Sequence, residues 1–294
     1  MIPPARSLWR GALLIVVLAA LGVGALWASR VAWVAWDDLE PGHAPIPAER
    51  RAELGAAGVE DVTLVTADGV TLRGWYSPSR NGAAVVFVHG LGGDRTQLLR
   101  PAARLAALGY GVLVFDLRAH GASAGRLTSL GAREDADVRA AVDFVAARPD
   151  VRPGRLAAVG YSIGGMALGR EAAADPRVAA VVLAGSFRSL GAMVHLHEPG
   201  ARGYVTLWTL RVVGVDERSV RPDETLCRLA PRPVLFVYGT EDPAHLEAEQ
   251  YLARACGPAR VALLPGGRHQ DDGGAMELAF SDALTPFVAD AVGP

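Results

Sequence analysis

The chain has 294 residues, a formal net charge of −2, 51% hydrophobic residues and only 6% aromatics. That length supports one large folded domain or two small ones, and the near-neutral charge with few aromatics excludes a nucleic-acid-binding surface. All 29 basic residues are arginine and Asn81 is the single asparagine, so a Schiff-base lysine, a Ser-Lys dyad, a Walker-type phosphate lysine and a Cys-His-Asn protease are all removed.

The amino-terminal segment differs in kind from the rest. Gly11 to Ser29 carries no charge and is dominated by Leu, Val, Ala and Ile; as a helix it spans roughly 28 Å, about one hydrocarbon core. Trp9 stands at one end and Trp27, Trp33 and Trp36 at the other, as interfacial anchors do, and Arg30 is placed to snorkel toward headgroups. Residues 1–36 are therefore read as an uncleaved, single-pass membrane anchor. A cleaved signal peptide is the alternative, but the stretch is long for one and no Ala-x-Ala site follows it. Arg6, Arg10 and the amino terminus favour an inside amino terminus and an extracytoplasmic body, although Arg30, Arg50 and Arg51 weaken that asymmetry.

Residues 37–58, with Pro41, Pro45 and Pro47, read as a juxtamembrane linker. The body starts near Val59, where Val62–Thr66 and Thr71–Tyr76 flank an Asp68-Gly69 turn and form a hairpin. Solidly apolar strands then alternate with helical segments. The strands are Ala83–Val88, Val112–Phe115, Leu156–Val159, Val178–Leu183, Val234–Val237 and Val261–Leu264; such runs suit strands covered on both faces. The helices are Arg95–Leu108, Arg133–Ala147, Ile163–Ala173, Leu246–Ala255 and Met276–Ala289. This is an α/β pattern: a mostly parallel, doubly wound sheet with an antiparallel hairpin at its start. One connection, about 186–230, is too long for a plain loop and is rich in apolar residues; it reads as one or two lid helices, with a peripheral insertion as the alternative. Cys227 and Cys256 show no metal-ligand spacing, and two semi-buried thiols are the favoured reading over a disulfide.

In open parallel sheets, reactive groups collect at the carboxyl ends of strands. Four such ends here carry something reactive: His89-Gly90-Leu91-Gly92-Gly93, Gly160-Tyr161-Ser162-Ile163-Gly164, Gly239-Thr240-Glu241-Asp242-Pro243 and Gly266-Gly267-Arg268-His269. The order along the chain is serine, acid, histidine. Alone, Gly-x-Ser-x-Gly is a loose pattern in a chain with 34 glycines; its place between a strand and a helix is what makes Ser162 a candidate nucleophile. For the acid, Glu241 and Asp216 compete with Asp242, which Pro243 places in a strand-end turn. Among the other histidines, His89 and His120 belong to loop motifs and suit structural hydrogen bonding. His195 and His197 with Glu198 lack a third metal ligand, His245 starts a helix and His43 lies in the linker.

The sequence resembles an α/β-hydrolase over roughly residues 59–290. The resemblance is carried by Val88-His89-Gly90-Leu91-Gly92-Gly93, Phe115-Asp116-Leu117-Arg118-Ala119-His120-Gly121-Ala122-Ser123 and Gly160-Tyr161-Ser162-Ile163-Gly164-Gly165, and is greatest to small membrane-anchored serine hydrolases of the esterase, peptidase and thioesterase type. Ala119 stands where that group usually has glycine, and Gln270 follows the histidine where no single residue is required. The resemblance implies that Ser162 attacks an acyl carbonyl, that His269 carries the proton, that Asp242 orients His269, and that the backbone N–H groups of Leu91 and Ile163 hold the oxyanion. It implies no metal and no cofactor. The expected activity is cleavage of an ester, with thioesters and amides on the same chemistry, acting on a small-molecule or lipid-like substrate at a membrane. A serine peptidase and a noncatalytic, membrane-tethered binding module are the alternatives.

Overall fold

The computed structural model describes residues 5–37, 39–55, 58–269 and 275–293; Gln270 lies outside them. The apolar amino terminus forms one helix, α1 (Ala5–Asp37), longer than the uncharged stretch, with no glycine or proline between Ser29 and Pro41 to stop it. Within it, Leu13–Val34 is long and apolar enough to cross a membrane. The segment read as a linker, though mostly exposed, is attached to the body at several points. It contains a 3₁₀ turn at Ala48–Leu54; Leu39 and Leu54 are fully buried, Leu39 O accepts from Thr128 N–H at 2.9 Å, and the His43 ring contacts Gly121 O and Gly125 O at 3.1 and 3.0 Å.

The body follows as β1 (Glu60–Val65), β2 (Thr71–Ser77), β3 (Ala84–Val88), α2 (Leu99–Ala107), β4 (Gly111–Phe115), α3 (Glu134–Ala146), β5 (Leu156–Tyr161), α4 (Ile163–Ala174) and β6 (Val178–Ala184). The insertion holds α5 (Leu190–His197), α6 (Ala201–Val212) and the short α7 (Pro222–Thr225), after which come β7 (Val234–Gly239), α8 (Ala248–Leu252), β8 (Ala259–Leu264) and α9 (Ala275–Val292). The eight strands lie in the order β1-β2-β4-β3-β5-β6-β7-β8. β2 pairs antiparallel with both β1 and β4, and every other pairing is parallel.

Period-two alternation explains how such short apolar runs serve two cores. Ala84, Val86 and Val88 of β3 with Leu113 and Phe115 of β4 face α3, α4 and the insertion; Val85 and Phe87 with Val112 and Val114 face α2 and α9. α2 starts at Leu99 rather than near Arg95, because residues 94–98 are held in a turn: Asp94 Oδ1 accepts from Thr96 N–H at 2.7 Å and Asp116 Oδ1 accepts from Arg95 N–H at 2.8 Å. α8 is likewise shorter than its apolar pattern, since Pro243 and Asp242 open a 3₁₀ turn at Pro243–Glu247 before it.

The two-thiol reading is overturned. Cys227 and Cys256 form a disulfide, with Cα atoms 4.7 Å apart. The end of the insertion and the turn before β8 lie side by side, a proximity that sequence spacing does not report.

Candidate active site

Tyr161 ends β5 and Ile163 begins α4, which leaves Ser162 alone to reverse the chain. Its φ of 52° and ψ of −118° are a strained backbone for a residue with a Cβ. The reversal is tight enough that a Cβ on Gly164 would meet His89 O at 2.3 Å, so only glycine lets α4 approach β3 so closely. The turn lifts the Ser162 hydroxyl clear of the sheet edge and places it at the amino terminus of α4, whose first N–H, that of Ile163, has no acceptor within the helix.

Two further strand ends reach the same point. Ser162 Oγ lies 3.0 Å from His269 Nε2, in the turn beyond β8. His269 Nδ1 lies 2.8 Å from Asp242 Oδ2, in the turn after β7. The other carboxylate oxygen of Asp242 accepts from Ala244 N–H at 2.8 Å, so the carboxylate is fixed at both ends. An ionised carboxylate only accepts; His269 therefore donates from Nδ1 and turns the lone pair of Nε2 toward the serine hydroxyl. The imidazole is enclosed by Tyr161, stacked at 5.4 Å, by Phe187 at 5.3 Å and by His197 of α5 at 5.9 Å between ring centroids. Gly185, at φ +52°, leaves room for it, since a Cβ there would stand 3.1 Å from His269 Cε1.

The rival acids lie elsewhere. Glu241 turns outward to Arg268 at 2.9 Å, and Asp216 is exposed in the insertion, paired with Arg218. His195 and His197 do not converge on one point: His195 packs against Tyr204, whereas His197 bonds Met193 O at 2.9 Å and faces the site.

The loop after β3 carries Leu91 beside Ser162. Two side chains hold it in place: Gly90 N–H donates to Gln97 Oε1 at 2.7 Å and Gly92 N–H to the buried His120 Nε2 at 3.2 Å. His89 donates from Nδ1 to Gly90 O at 2.7 Å and accepts Leu117 N–H at Nε2, 2.9 Å away. Both rings can accept because both are neutral: burial pushes His89 down to about 4, with the nearby His120 adding to the effect, and burial lowers His120 as well. Arg95 and Asp116 form a buried pair at 2.5 Å beneath the same loop. The sequence marked His89 and His120 as structural hydrogen-bonders; Gln97 and Phe187 carried no motif that would single them out, Tyr161 stood in the serine motif without a role of its own, and His197 was weighed only as a metal ligand.

A cleft of about 1000 Å³ opens in front of Ser162. Its lining includes the apolar Leu130, Ile163, Phe187, Met193, Val194 and Leu210, three of them from α5 and α6, together with the polar Arg50, Glu53, Asp94, Arg100, His197 and Glu198.

Three comparisons bear on this arrangement. A family model described as "Serine aminopeptidase, S33" (Hydrolase_4) matches residues 79–215. An uncharacterized protein of Mycobacterium tuberculosis, Rv2307c, is 33% identical over 286 residues, covering 93% of this chain and 95% of its own length. YfhR, an uncharacterized protein of Escherichia coli, is 29% identical, covering 80% and 82%. Among solved structures, an esterase of Pyrococcus furiosus superposes with a TM-score of 0.69 at 21% identity, covering 86% of this chain and 98% of the esterase; at that identity the likeness concerns the fold.

Proposed function

The chain belongs to the α/β-hydrolase superfamily, and we propose that it is a membrane-anchored serine hydrolase that cleaves carboxylic esters through an acyl-enzyme intermediate. The observation that carries this reading is the hydrogen-bonded chain from Ser162 Oγ through His269 to Asp242, at 3.0 and 2.8 Å. Ser162 Oγ attacks the acyl carbonyl as its proton passes to His269 Nε2, and Asp242 stabilises the imidazolium so formed. The developing oxyanion is met by the N–H groups of Leu91 and Ile163, each worth about 3 to 4 kcal/mol in the transition state. His269 then gives its proton to the departing alkoxide, leaving an ester on Ser162. A water molecule activated by His269 cleaves that ester, releases the acid and restores the serine.

The substrate is lipophilic in this reading, because Phe187, Met193, Val194 and Leu210 of the insertion line the cleft beside Ser162 and the chain carries α1. The Cys227–Cys256 disulfide supports an extracytoplasmic body, since such bonds persist outside the reducing cytoplasm. The test is fluorophosphonate labelling of the full chain in detergent, followed by nitrophenyl esters of increasing acyl length. Labelling lost in Ser162→Ala and a rate that rises beyond acetyl are expected. An unlabelled wild type sinks the enzyme reading, labelling that survives Ser162→Ala sinks the nucleophile, and strict acetyl preference sinks the lipophilic substrate.

A further inference from the structure

Helix α6 has two unlike faces. Gly203, Leu207 and Leu210 point into the protein, and Thr206 and Leu210 form part of the cleft wall. On the other side Tyr204, Trp208 and Val212, four residues apart and so in one stripe, are 70%, 63% and 66% exposed. A contiguous apolar stripe on the outside of a lid is costly in water and marks a surface with a partner.

The placement of α6 identifies that partner. α1 packs against α6. The residues of α1 are exposed from Leu13 to Trp27 and their burial begins at Ala28, with Val31 buried, so the two helices meet at the base of the apolar span. Trp27 and Trp33 are exposed at this same level, and the Arg30 guanidinium lies 4.6 Å over the Trp33 ring; tryptophan, tyrosine and arginine are the side chains that favour the zone between headgroups and acyl chains. Just beyond, Leu39 and His43 pin the chain to the body, which leaves little slack between span and lid.

We infer that the outer face of α6, formed by Tyr204, Trp208 and Val212, is a membrane-docking surface seated at the headgroup–acyl boundary of the bilayer that α1 crosses, so that the cleft opens onto lipid. The inference rests on the membrane-anchored reading above, and it makes α6 a partition with lipid on one side and the cleft leading to Ser162 on the other. An ester of an amphiphile then reaches the serine from the bilayer surface without passing through water.

The test uses the full chain in phosphatidylcholine/phosphatidylglycerol nanodiscs, with a nitrobenzoxadiazole dye on Trp208→Cys and, as control, on Leu108→Cys. Leu108 is exposed at the end of α2, beside the amino end of β4, whereas the cleft lies at the carboxyl ends of the strands. The dye at 208 is expected to be quenched by lipid-borne doxyl groups and shielded from aqueous dithionite, and the dye at 108 to behave in the reverse way. Equal dithionite access at both positions overturns the inference. Shielding at 208 without doxyl quenching also overturns it, because the stripe is then covered by a second copy of the chain. A functional arm uses Tyr204→Glu/Trp208→Glu: hydrolysis of a soluble nitrophenyl ester should stay within about twofold, as for exposed sites, while KM for an ester embedded in vesicles should rise roughly tenfold or more. Unchanged KM on vesicles argues against docking. The depth measurement is independent of catalysis, so a lipid-seated stripe in a chain that takes no fluorophosphonate would refute the hydrolase and leave the docking surface standing.

Discussion

Replacing Asp242 by Asn changes the chemistry of the site while nearly preserving its shape. Asp242 Oδ1 accepts from Ala244 N–H and Oδ2 accepts from His269 Nδ1, each at 2.8 Å. An asparagine can satisfy Ala244 only with its carbonyl oxygen, which turns its NH₂ toward His269. Nδ1 must then accept, so the ring proton moves to Nε2, and Nε2 no longer takes the proton of Ser162. A forced tautomer of this kind costs about 10⁴ in kcat, or about 5 kcal/mol of barrier. The assay is kcat/KM on p-nitrophenyl butyrate in detergent, with melting temperature recorded to exclude misfolding. Glu241→Gln is the control: it removes only an exposed pair with Arg268, so its rate should hold within about twofold. Retention of more than a tenth of wild-type activity in Asp242→Asn, or a comparable fall in Glu241→Gln, would refute the assignment.

Gly164→Ala should lower stability by about 1 to 3 kcal/mol and depress activity with it, because the new Cβ meets His89 O and cannot be accommodated without moving α4 and Ser162; Gly191→Ala, in open space near the start of α5, should leave melting unchanged or raise it. Ala119→Gly should be stabilising by about 0.5 to 1 kcal/mol, since Ala119 sits at φ 64°, where a Cβ is penalised; a melting temperature below wild type would contradict this. His89 yields a pH dependence. Its folded-state value of about 4 lies below the ordinary 6.5, so between these limits the unfolded chain binds a proton that the folded chain does not, and stability falls as pH drops through that window. The loss amounts to about 3 kcal/mol. Thermal melts of wild type and His89→Gln in detergent should converge as pH falls from 6.5 to 4, and parallel curves would refute the assignment.

The sheet was legible because each buried strand is a short apolar run between turn residues, and burial on both faces leaves no alternation to misread. Chain order then put Ser162, Asp242 and His269 after the ends of three strands, β5, β7 and β8, without any knowledge of distance. Features that depend on proximity between remote segments were not legible. Gln97 looks like any polar helix residue until Gly90 N–H points at it. Cys227 and Cys256 are unremarkable until the insertion folds back to β8. The prolines at 41, 45 and 47 pointed to a juxtamembrane linker but not to the burial of Leu39 and Leu54 within it; composition reports local stiffness and is silent on what a distant surface offers a lone leucine. The same limit hid the packing of α1 on α6, which joins residues far apart in the chain.

That pinned segment also works as a ruler. A slack tether would let the body sample many heights above a bilayer, and substrates of any headgroup size would find the serine at some moment. With Leu39 locked in the core and His43 held by two carbonyls, Ser162 stands at one height above the base of α1. On the proposed function, length then selects the substrate: among amphiphiles, those whose scissile carbonyl rides at that height would react, and lengthening the tether should broaden the set.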